Sequence, residues 1–261
     1  MKKLVVNADD FGFTRDVNRG IVQAHAEGIL TATTLMATGA AFDDAVRLAR
    51  EHPALDIGVH LVLVGEAPFP RTIPRLLQAV ALGRVRIHEE FVQQVRRVLD
   101  AGIQPTHLDT HKHTHLLPPV LEAVARISQD FKIPWVRRPF DLRASYEGVP
   151  WTQRAVGKSL LVARGRFARV LSKYGCRSTD HFAGFQVTGR YDAVQLARLI
   201  QALPDGTTEF MCHPGVCGDE LRAARTRLQE SRQRELEALT SREVRLALAE
   251  SGVQLARYRD L

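Results

Sequence analysis

The stretch Lys3-Leu-Val-Val-Asn-Ala-Asp9-Asp10-Phe-Gly-Phe13 introduces a pattern that recurs along the chain. A short apolar run, typical of a buried β-strand, stops at two adjacent carboxylates. In α/β proteins the reactive side chains follow the C-terminal ends of strands, where one carboxylate can bind a metal and another can act as a base. Asp9 and Asp10 are therefore candidate site residues. The alternative is that one of them caps the next helix, although Asp16 is better placed for that role.

Apolar β-type runs alternate with helical patterns through most of the sequence. The predicted strands cover 3–9, 31–36, 57–63, 105–111, 133–137 and 206–213, and the predicted helices cover about 16–27, 41–51, 88–101, 119–131 and 191–203. Strands that alternate with helices indicate a parallel sheet. Six or seven such units predict one α/β domain over residues 1–261, a distorted TIM-like (β/α) barrel.

Two of the predicted strands contain histidines. His60 lies within Asp56-Ile-Gly-Val-His60-Leu-Val-Leu63, and Thr106-His-Leu-Asp-Thr-His-Lys-His-Thr-His115 holds four of the ten histidines of the chain. Alternate residues of a strand share one face, so His107, Asp109 and His111 are expected to point to one site. The alternatives are a solvated loop, or a helix that aligns residues 107, 111 and 115.

Strand parity also orients the remaining side chains of the histidine run. Lys112 has the opposite parity to His111 and is expected to point away from the site. His113 and His115 are expected to surround the site, where they can orient ligands or contact a substrate.

Together, three strand ends supply Asp10, His60 and His111. Carboxylate and imidazole ligands suit Zn²⁺, and their spacing is also compatible with Mg²⁺, Mn²⁺ or Fe²⁺. The alternative for His60 is a core histidine whose nitrogens are satisfied by neighbouring groups.

Composition is typical of a cytoplasmic enzyme. The sequence contains no apolar stretch of about 20 residues that could cross a membrane. The first residues do not follow the pattern of a secretory signal. Three cysteines are too few for a disulfide framework. The net charge of +7 raises the alternative of an RNA-binding protein. Aromatic residues make up only 7% of the chain and no binding module is recognisable, so nucleic acid is not an expected partner.

Much of the positive charge lies in residues 152–173, where basic and apolar residues alternate at helical spacing. Such a helix can make peripheral contact with an anionic membrane face, which would suit a lipid-linked substrate. The alternative is an ordinary barrel helix with a solvated basic face.

Four motifs together resemble the YdjC/ChbG-like carbohydrate deacetylases. They are Val6-Asn-Ala-Asp-Asp-Phe-Gly12, Gly58-Val-His60, Thr106-His-Leu-Asp-Thr-His111 and Met211-Cys-His-Pro-Gly215. The stretch Thr179-Asp-His-Phe-Ala-Gly-Phe185 is similar to the hopanoid-biosynthesis-associated branch, HpnK. The resemblance implies one divalent metal held by Asp10, His60 and His111, with Asp9 as the base.

The resemblance also implies an N-acetylated amino sugar as substrate and, in the hopanoid branch, a glycolipid headgroup. His213 is the candidate general acid because a late predicted strand ends there at a Pro-Gly turn. A structural role for His213 is the alternative, and His113 and His115 are the other candidate acids. Other metal-dependent amide hydrolases and phosphoesterases share this kind of ligand set.

Overall fold

A curled sheet of parallel strands forms the centre of the molecule, seen in a computed structural model that describes residues 1–65, 68–142 and 163–261. The strands are β1 Lys2–Phe11, β2 Ala32–Leu35, β3 Asp56–Leu61, β4 His107–Thr110, β5 Trp135–Val136, β6 His181–Ala183, β7 Gly206–Cys212 and β8 Val253–Leu255. Their order is β5-β4-β3-β2-β1-β7-β6, and β8 pairs with the start of β1.

Two isolated parallel bridges link the outer edges of this sheet. One joins Trp135 to Arg177 and the other joins Asp141 to Phe182, so the β5 side approaches the β6 side. The result is a curled, TIM-like half-barrel, which confirms the predicted fold class.

Helices surround the sheet and cover it with their apolar faces. In the described residues they are α1 Arg15–Glu27, α2 Phe42–Glu51, α3 Ile73–Ala81, α4 Ile87–Asp100, α5 Pro118–Phe131, α6 Arg164–Lys173, α7 Ala193–Gln201, α8 Asp219–Ala223, α9 Glu230–Thr240 and α10 Arg242–Ser251. The five predicted helices and six predicted strands correspond to observed elements. The strands β6 and β8 and the helices α3 and α8–α10 were not predicted from the sequence.

The predicted cap of α1 was wrong. Thr14 is the N-cap, and its Oγ1 accepts a hydrogen bond from the backbone N–H of Val17 at 3.2 Å. Asp16 lies inside the first turn, and its carboxylate accepts from the backbone N–H of Leu221 at 3.0 Å. Asp16 therefore joins α1 to α8.

The described part of the basic segment packs as a barrel helix. Phe167, Val170 and Leu171 of α6 are buried in the main core, whereas Arg166 and Arg169 are exposed. Residues 152–162 of the segment lie outside the described residues. No helix in the described ranges is long and apolar enough to span a membrane.

Parallel register brings the predicted site residues to one end of the sheet. His60 pairs with Asp109 between β3 and β4, and Ala8 pairs with Cys212 between β1 and β7. Because residues that follow paired positions remain neighbours, Asp9 lies beside His213.

Close packing under the site requires a glycine in β3. A Cβ atom built on Gly58 would lie 2.6 Å from the His107 ring and from its carbonyl oxygen. We expect Gly58→Ala to lower the free energy of unfolding by about 1–3 kcal/mol through overpacking. Denaturant unfolding measures this change. Gly165→Ala in α6, where a Cβ atom meets nothing within 4 Å, is the control and should leave stability equal or higher. Equal stability of the Gly58 variant and the parent would contradict the packing argument.

Candidate functional site

Three side-chain atoms from three strand ends form a nearly equilateral triangle. Asp10 Oδ1 lies 3.4 Å from His60 Nε2 and 3.3 Å from His111 Nδ1, and the two imidazole nitrogens are 3.3 Å apart. Asp10 adopts a left-handed backbone conformation with φ of 70°, which aspartate tolerates better than most residues.

The triangle has the size that a divalent metal ion requires. Tetrahedral Zn²⁺ with ligand bonds of about 2.0–2.1 Å keeps neighbouring ligand atoms about 3.3 Å apart. Asp10 Oδ1 is buried and has no hydrogen-bond partner among the described residues, although the two imidazole nitrogens lie 3.4 and 3.3 Å away. The geometry and the unsatisfied oxygen therefore fit a cation held by Asp10, His60 and His111.

Asp109 orients the His60 ligand. His60 Nδ1 donates to Asp109 Oδ1 at 2.7 Å, which directs Nε2 toward the triangle, and Thr34 donates to Asp109 Oδ2 at 3.0 Å. Burial lowers the pKa of His60, but the carboxylates of Asp109, Asp10 and Asp9 outweigh it and raise that pKa to about 10. A cation in the triangle would compete with this proton for the same nitrogen.

Asp9 lies beside the triangle and is held by a buried arginine. Arg137 donates from Nη2 to Asp9 Oδ1 at 2.6 Å and from Nη1 to Asp9 Oδ2 at 2.7 Å. Burial raises the pKa of Asp9, but the Arg137 guanidinium outweighs this effect and holds the pKa below its ordinary value. Asp9 is therefore an ionised proton acceptor with a fixed orientation.

The same guanidinium joins two more buried carboxylates. Arg137 Nε donates to Glu209 Oε1 at 2.6 Å, and Nη1 lies 2.7 Å from Asp109 Oδ2. Arg137 thus links Asp9, which faces the triangle, to Asp109, which orients His60.

Arg232 of α9 holds the second oxygen of Asp10. Its Nη2 donates to Asp10 Oδ2, and both side chains are buried. Burial raises the pKa of Asp10, but Arg232 and the two neighbouring histidines keep it well below the ordinary value. The carboxylate therefore stays charged and presents Oδ1 to the triangle.

His213 follows β7 and faces Asp9. Its Nε2 lies 3.9 Å from Asp9 Oδ2, and its buried Nδ1 has no hydrogen-bond partner in the described part of the chain. Glu235 of α9 accepts from the His213 backbone N–H at 2.6 Å and from the Tyr191 hydroxyl at 3.0 Å. Burial lowers the pKa of His213, so its imidazole is neutral near pH 7.

The structure separates the other two histidines that were candidate acids. His115 is buried with both nitrogens engaged, Nδ1 by Thr110 Oγ1 at 2.5 Å and Nε2 by the Arg137 carbonyl at 3.2 Å. His113 lines the same cavity as His213, and its Nδ1 has no hydrogen-bond partner among the described residues.

The prediction that His107, Asp109 and His111 converge on one point was wrong. Residues on one face of a strand lie roughly 6.6 Å apart along it, so the three occupy successive levels of the barrel. His107 Nε2 bonds to Asn7 Oδ1 at 2.9 Å and the ring stacks on Tyr258, away from the triangle.

The predicted orientation of Lys112 was also wrong. The chain leaves β4 at Thr110, and Lys112 and His113 adopt positive φ angles of 54° and 51°. Strand parity therefore does not apply to Lys112, which lines the cavity.

A cavity of about 530 Å³ opens above the triangle. Asp9 and His213 line it together with the three triangle residues, and Phe13, Phe185, Met211 and Leu228 supply apolar walls. This volume and the mixture of apolar walls with a few convergent polar groups are typical of a small-molecule site.

The family model described as YdjC-like protein matches residues 3–250. The chain belongs to this YdjC-like family. A carbohydrate deacetylase of Brevibacillus brevis is 31% identical and the match covers 99% of each chain. A carbohydrate deacetylase of Halalkalibacterium halodurans is 32% identical, with 95% of this chain and 98% of the relative covered.

A solved structure from Enterococcus faecalis is also similar to this YdjC-like protein. Its name refers to cellobiose-phosphate cleavage, its identity is 27% and its TM-score is 0.77, with 99% of this chain and 98% of that chain covered. A lactam utilization protein of Thermus thermophilus shares the fold at 17% identity and a TM-score of 0.53, with 98% and 99% covered.

Several residues of the candidate site of this YdjC-like protein were not predicted from its sequence. Arg137 follows β5, so the strand-end criterion that found Asp9 could have found it. Arg232 and Glu235 lie in a run of charged residues on α9 that resembles a solvated face. Their burial depends on packing that the run itself does not indicate.

Asp141 holds part of the cavity wall in place, and its titration can be tested through the pH dependence of stability. Asp141 accepts from the backbone N–H groups of Phe185 at 3.1 Å and Gln186 at 2.7 Å. Burial raises the pKa of Asp141 to about 6 despite these hydrogen bonds. Because the folded-state pKa of Asp141 is raised, the folded protein favours the protonated carboxyl. The contribution of this carboxyl to stability is complete below about pH 4 and is lost as the pH rises through about 6.

We expect the unfolding free energy of Asp141→Asn, relative to the parent, to rise by about 2–3 kcal/mol between pH 4 and pH 7. The substitution removes the titrating group, whereas the other groups contribute equally to both proteins. Denaturant unfolding at intervals of pH measures the difference. A difference that stays constant with pH would show that Asp141 does not titrate in this window.

Proposed function

We propose that this chain is a divalent-metal-dependent N-deacetylase that hydrolyses the acetamide of an N-acetylated amino sugar. The observation that carries the proposal is the ligand triangle of Asp10, His60 and His111 beside the ionised Asp9 in a cavity. The two carbohydrate deacetylases that match over nearly the whole chain support a sugar amide as the substrate.

Two imidazoles and one carboxylate suit Zn²⁺ better than Mg²⁺, which prefers oxygen ligands. A divalent ion bound there would polarise the acetamide carbonyl and lower the pKa of a water molecule. Asp9 accepts the proton from the attacking water, and the water oxygen bonds to the acetyl carbon. Arg137 keeps Asp9 ionised and aligned for this step.

Departure of the amine requires a proton, and we assign that step to His213. The proton that Asp9 has accepted passes to the neutral His213 imidazole, whose Nε2 lies 3.9 Å from Asp9 Oδ2. The resulting imidazolium delivers that proton to the sugar nitrogen as the C–N bond breaks, so that acetate and a free amine are the products. Glu235 supports this role because it fixes the backbone of His213. His113 is the alternative acid, since it reaches the same cavity.

The position of Arg137 favours this reaction over a two-metal phosphoesterase. Asp9, His60 and Asp109 also approach one another closely enough to form a second ligand group. The Arg137 guanidinium is already paired with both of these carboxylates. A second cation there would lie beside a buried positive charge, so the site suits one metal ion.

The resemblance of Thr179–Phe185 to the hopanoid-associated branch makes an N-acetylglucosaminyl hopanoid a substrate to test. Acetate release from this lipid and from a soluble chitooligosaccharide distinguishes the two acceptors. Release from the soluble sugar alone would retain the N-deacetylase and discard the lipid.

Removal of any ligand of the triangle should abolish tight metal binding. We expect Asp10→Ala, His60→Ala and His111→Ala to lose both metal and acetate release, and a chelator to do the same to the parent until Zn²⁺ or Mg²⁺ is restored. Asp9→Asn should keep the metal and lose about 10²–10⁴-fold in kcat, because a positioned base is removed. Metal content after dialysis and acetate release measure these effects.

His88→Ala is the matched control, since His88 pairs with Asp130 on the surface. It should keep the metal and the parent rate. Metal binding and activity retained after any one triangle substitution would overturn that ligand assignment, and an Asp9→Asn rate equal to the parent would require another base.

Sensitivity to the leaving group should identify the general acid. We expect His213→Ala to lose about 10²–10⁴-fold on the sugar amide but less than about tenfold on 4-nitrophenyl acetate, whose leaving group needs no proton. His113→Ala should affect both substrates alike. Selective loss in His113→Ala, with none in His213→Ala, would transfer the role to His113.

A further inference from the structure

One buried acid beside the cavity has no cationic partner. Six acidic side chains are buried in the described ranges, and five of them form an ion pair with an arginine. These five are Asp9, Asp10, Asp56, Asp109 and Glu209. The sixth is Glu235 of α9, which forms no ion pair within the described part of the chain. A buried charge without a partner is costly, so the position of Glu235 requires an explanation.

Three neutral donors surround the Glu235 side chain. Its Oε1 accepts from the backbone N–H of Gly189 at 2.6 Å, and its Oε2 accepts from the backbone N–H of His213 at 2.6 Å. The Tyr191 hydroxyl also donates to Oε2, at 3.0 Å. Both oxygens are acceptors, which is the hydrogen bonding of a carboxylate. None of the three donors carries a net charge, so they hold the carboxylate without neutralising it.

The imidazole of His213 lies on the backbone that Glu235 binds. The ring begins three bonds from the nitrogen that donates to Glu235, so the carboxylate acts on it over a short distance in a buried site, where charges interact strongly. Nδ1 of His213 is buried and has no hydrogen-bond partner among the described residues. Protonation of this ring therefore creates a cation without a direct acceptor at Nδ1, and the Glu235 carboxylate can balance its charge.

The other acids around His213 already have cationic partners. The titratable side chains that face the ring come from the end of β1, from the turn after β4 and from α9, and they are Asp9, Asp10, His113, Arg232 and Glu235. The cations that line the same cavity are Lys112, Arg225 and Arg227. Burial lowers the pKa of His213, whereas the three carboxylates raise it. Since Asp9 and Asp10 are each paired with a buried arginine, Glu235 is the acid of this described group whose charge is not shared.

We propose that Glu235 is a positioning residue whose negative charge stabilises the imidazolium of His213 during deacetylation. When the proton of Asp9 passes to His213, the ring becomes positive beside the carboxylate, and the two charges offset each other. When the proton passes on to the sugar nitrogen, the ring is neutral again. The inference rests on the proposed deacetylase function, in which His213 is the general acid. It assigns Glu235 an electrostatic role in addition to its hold on the backbone.

The test measures the protonation of His213 and the rate with two leaving groups. In the Zn²⁺-loaded protein, the imidazole C2–H resonance that is absent from His213→Ala reports the pKa of His213. We expect this pKa to fall by about 1–2 pH units in Glu235→Gln. The same variant should lose about 10–100-fold in kcat on the sugar amide with little change in KM, and less than about threefold on 4-nitrophenyl acetate. An unchanged pKa, or equal losses on both substrates, would overturn the assignment.

Tyr191→Phe is the matched control, because it removes one hydrogen bond from the same carboxylate and keeps the charge. It should leave the pKa of His213 within about half a pH unit of the parent and the ratio of the two rates within about threefold. A loss confined to the sugar amide in Tyr191→Phe would show that the hydrogen bonds are needed rather than the charge, and would contradict the proposal.

A second variant keeps the test decisive if Glu235→Gln does not fold. Glu235→Asp retains the charge on a shorter side chain, so its ratio of amide to ester rates should stay within about tenfold of the parent, with the pKa of His213 closer to the parent than to the ordinary shift of an unpaired buried ring. A larger loss that is confined to the sugar amide would reject the electrostatic role.

Failure of this role can be distinguished from failure of the deacetylase. Acetate release from the sugar by Glu235→Gln at the parent rate, with an unchanged pKa of His213, would reject the role of Glu235 and keep the N-deacetylase. If the parent releases acetate from no sugar, the deacetylase fails, and the titration of His213 decides alone. A lower pKa in Glu235→Gln then supports the stabilising charge, and an equal pKa rejects it.

Discussion

The buried guanidinium of Arg137 is the interaction on which the site depends. It contacts Asp9, Asp109 and Glu209, which come from β1, β4 and β7, so one cation joins three strands at the end of the barrel where the site lies. Removing one partner of a buried ion pair typically costs about 3–5 kcal/mol, because the remaining charge stays buried. Here three carboxylates share the partner. Arg137 therefore stabilises the sheet and also fixes Asp9 and, through Asp109, the ring of His60.

A similar arrangement holds the opposite side of the triangle. Arg232 of α9 engages one oxygen of Asp10 and leaves the other directed at His60 and His111. Each acid of the adjacent pair therefore has its own buried arginine, from the residue after β5 for Asp9 and from α9 for Asp10. This division gives two chemically identical side chains different roles. Asp10 presents an unsatisfied oxygen that suits a metal, whereas both oxygens of Asp9 are oriented by hydrogen bonds and suit proton acceptance.

The elements that could be predicted from the sequence are the strands and helices whose apolar residues recur with a clear period. The criterion that reactive residues lie at the C-terminal ends of strands identified Asp9, Asp10, His60 and His213, because parallel strands place these ends at one edge of the sheet. The three-residue strands β6 and β8 are too short to show a period, and α9 hides its buried face because Arg232 and Glu235 lie on it. The rule that alternate residues share one face failed after Thr110, because the strand ends there and Lys112 and His113 adopt left-handed backbone conformations. Local pattern does not reveal such a turn, since lysine has no preference for the left-handed region and the enrichment of histidine there is too weak to identify one position.

The turn after β4 has consequences for what the cavity can bind. An extended chain would have directed Lys112 to the outside, whereas the left-handed backbone at residues 112 and 113 brings a lysine and a histidine into the same cavity. Non-glycine residues in this region cost roughly 1–3 kcal/mol each, and surrounding structure must hold them there. His115 helps to do so, because Thr110 binds both its backbone N–H and its ring. A buried histidine outside the cavity lining thus holds the turn that places the Lys112 ammonium group in the cavity, so this positive charge depends on the backbone turn after β4.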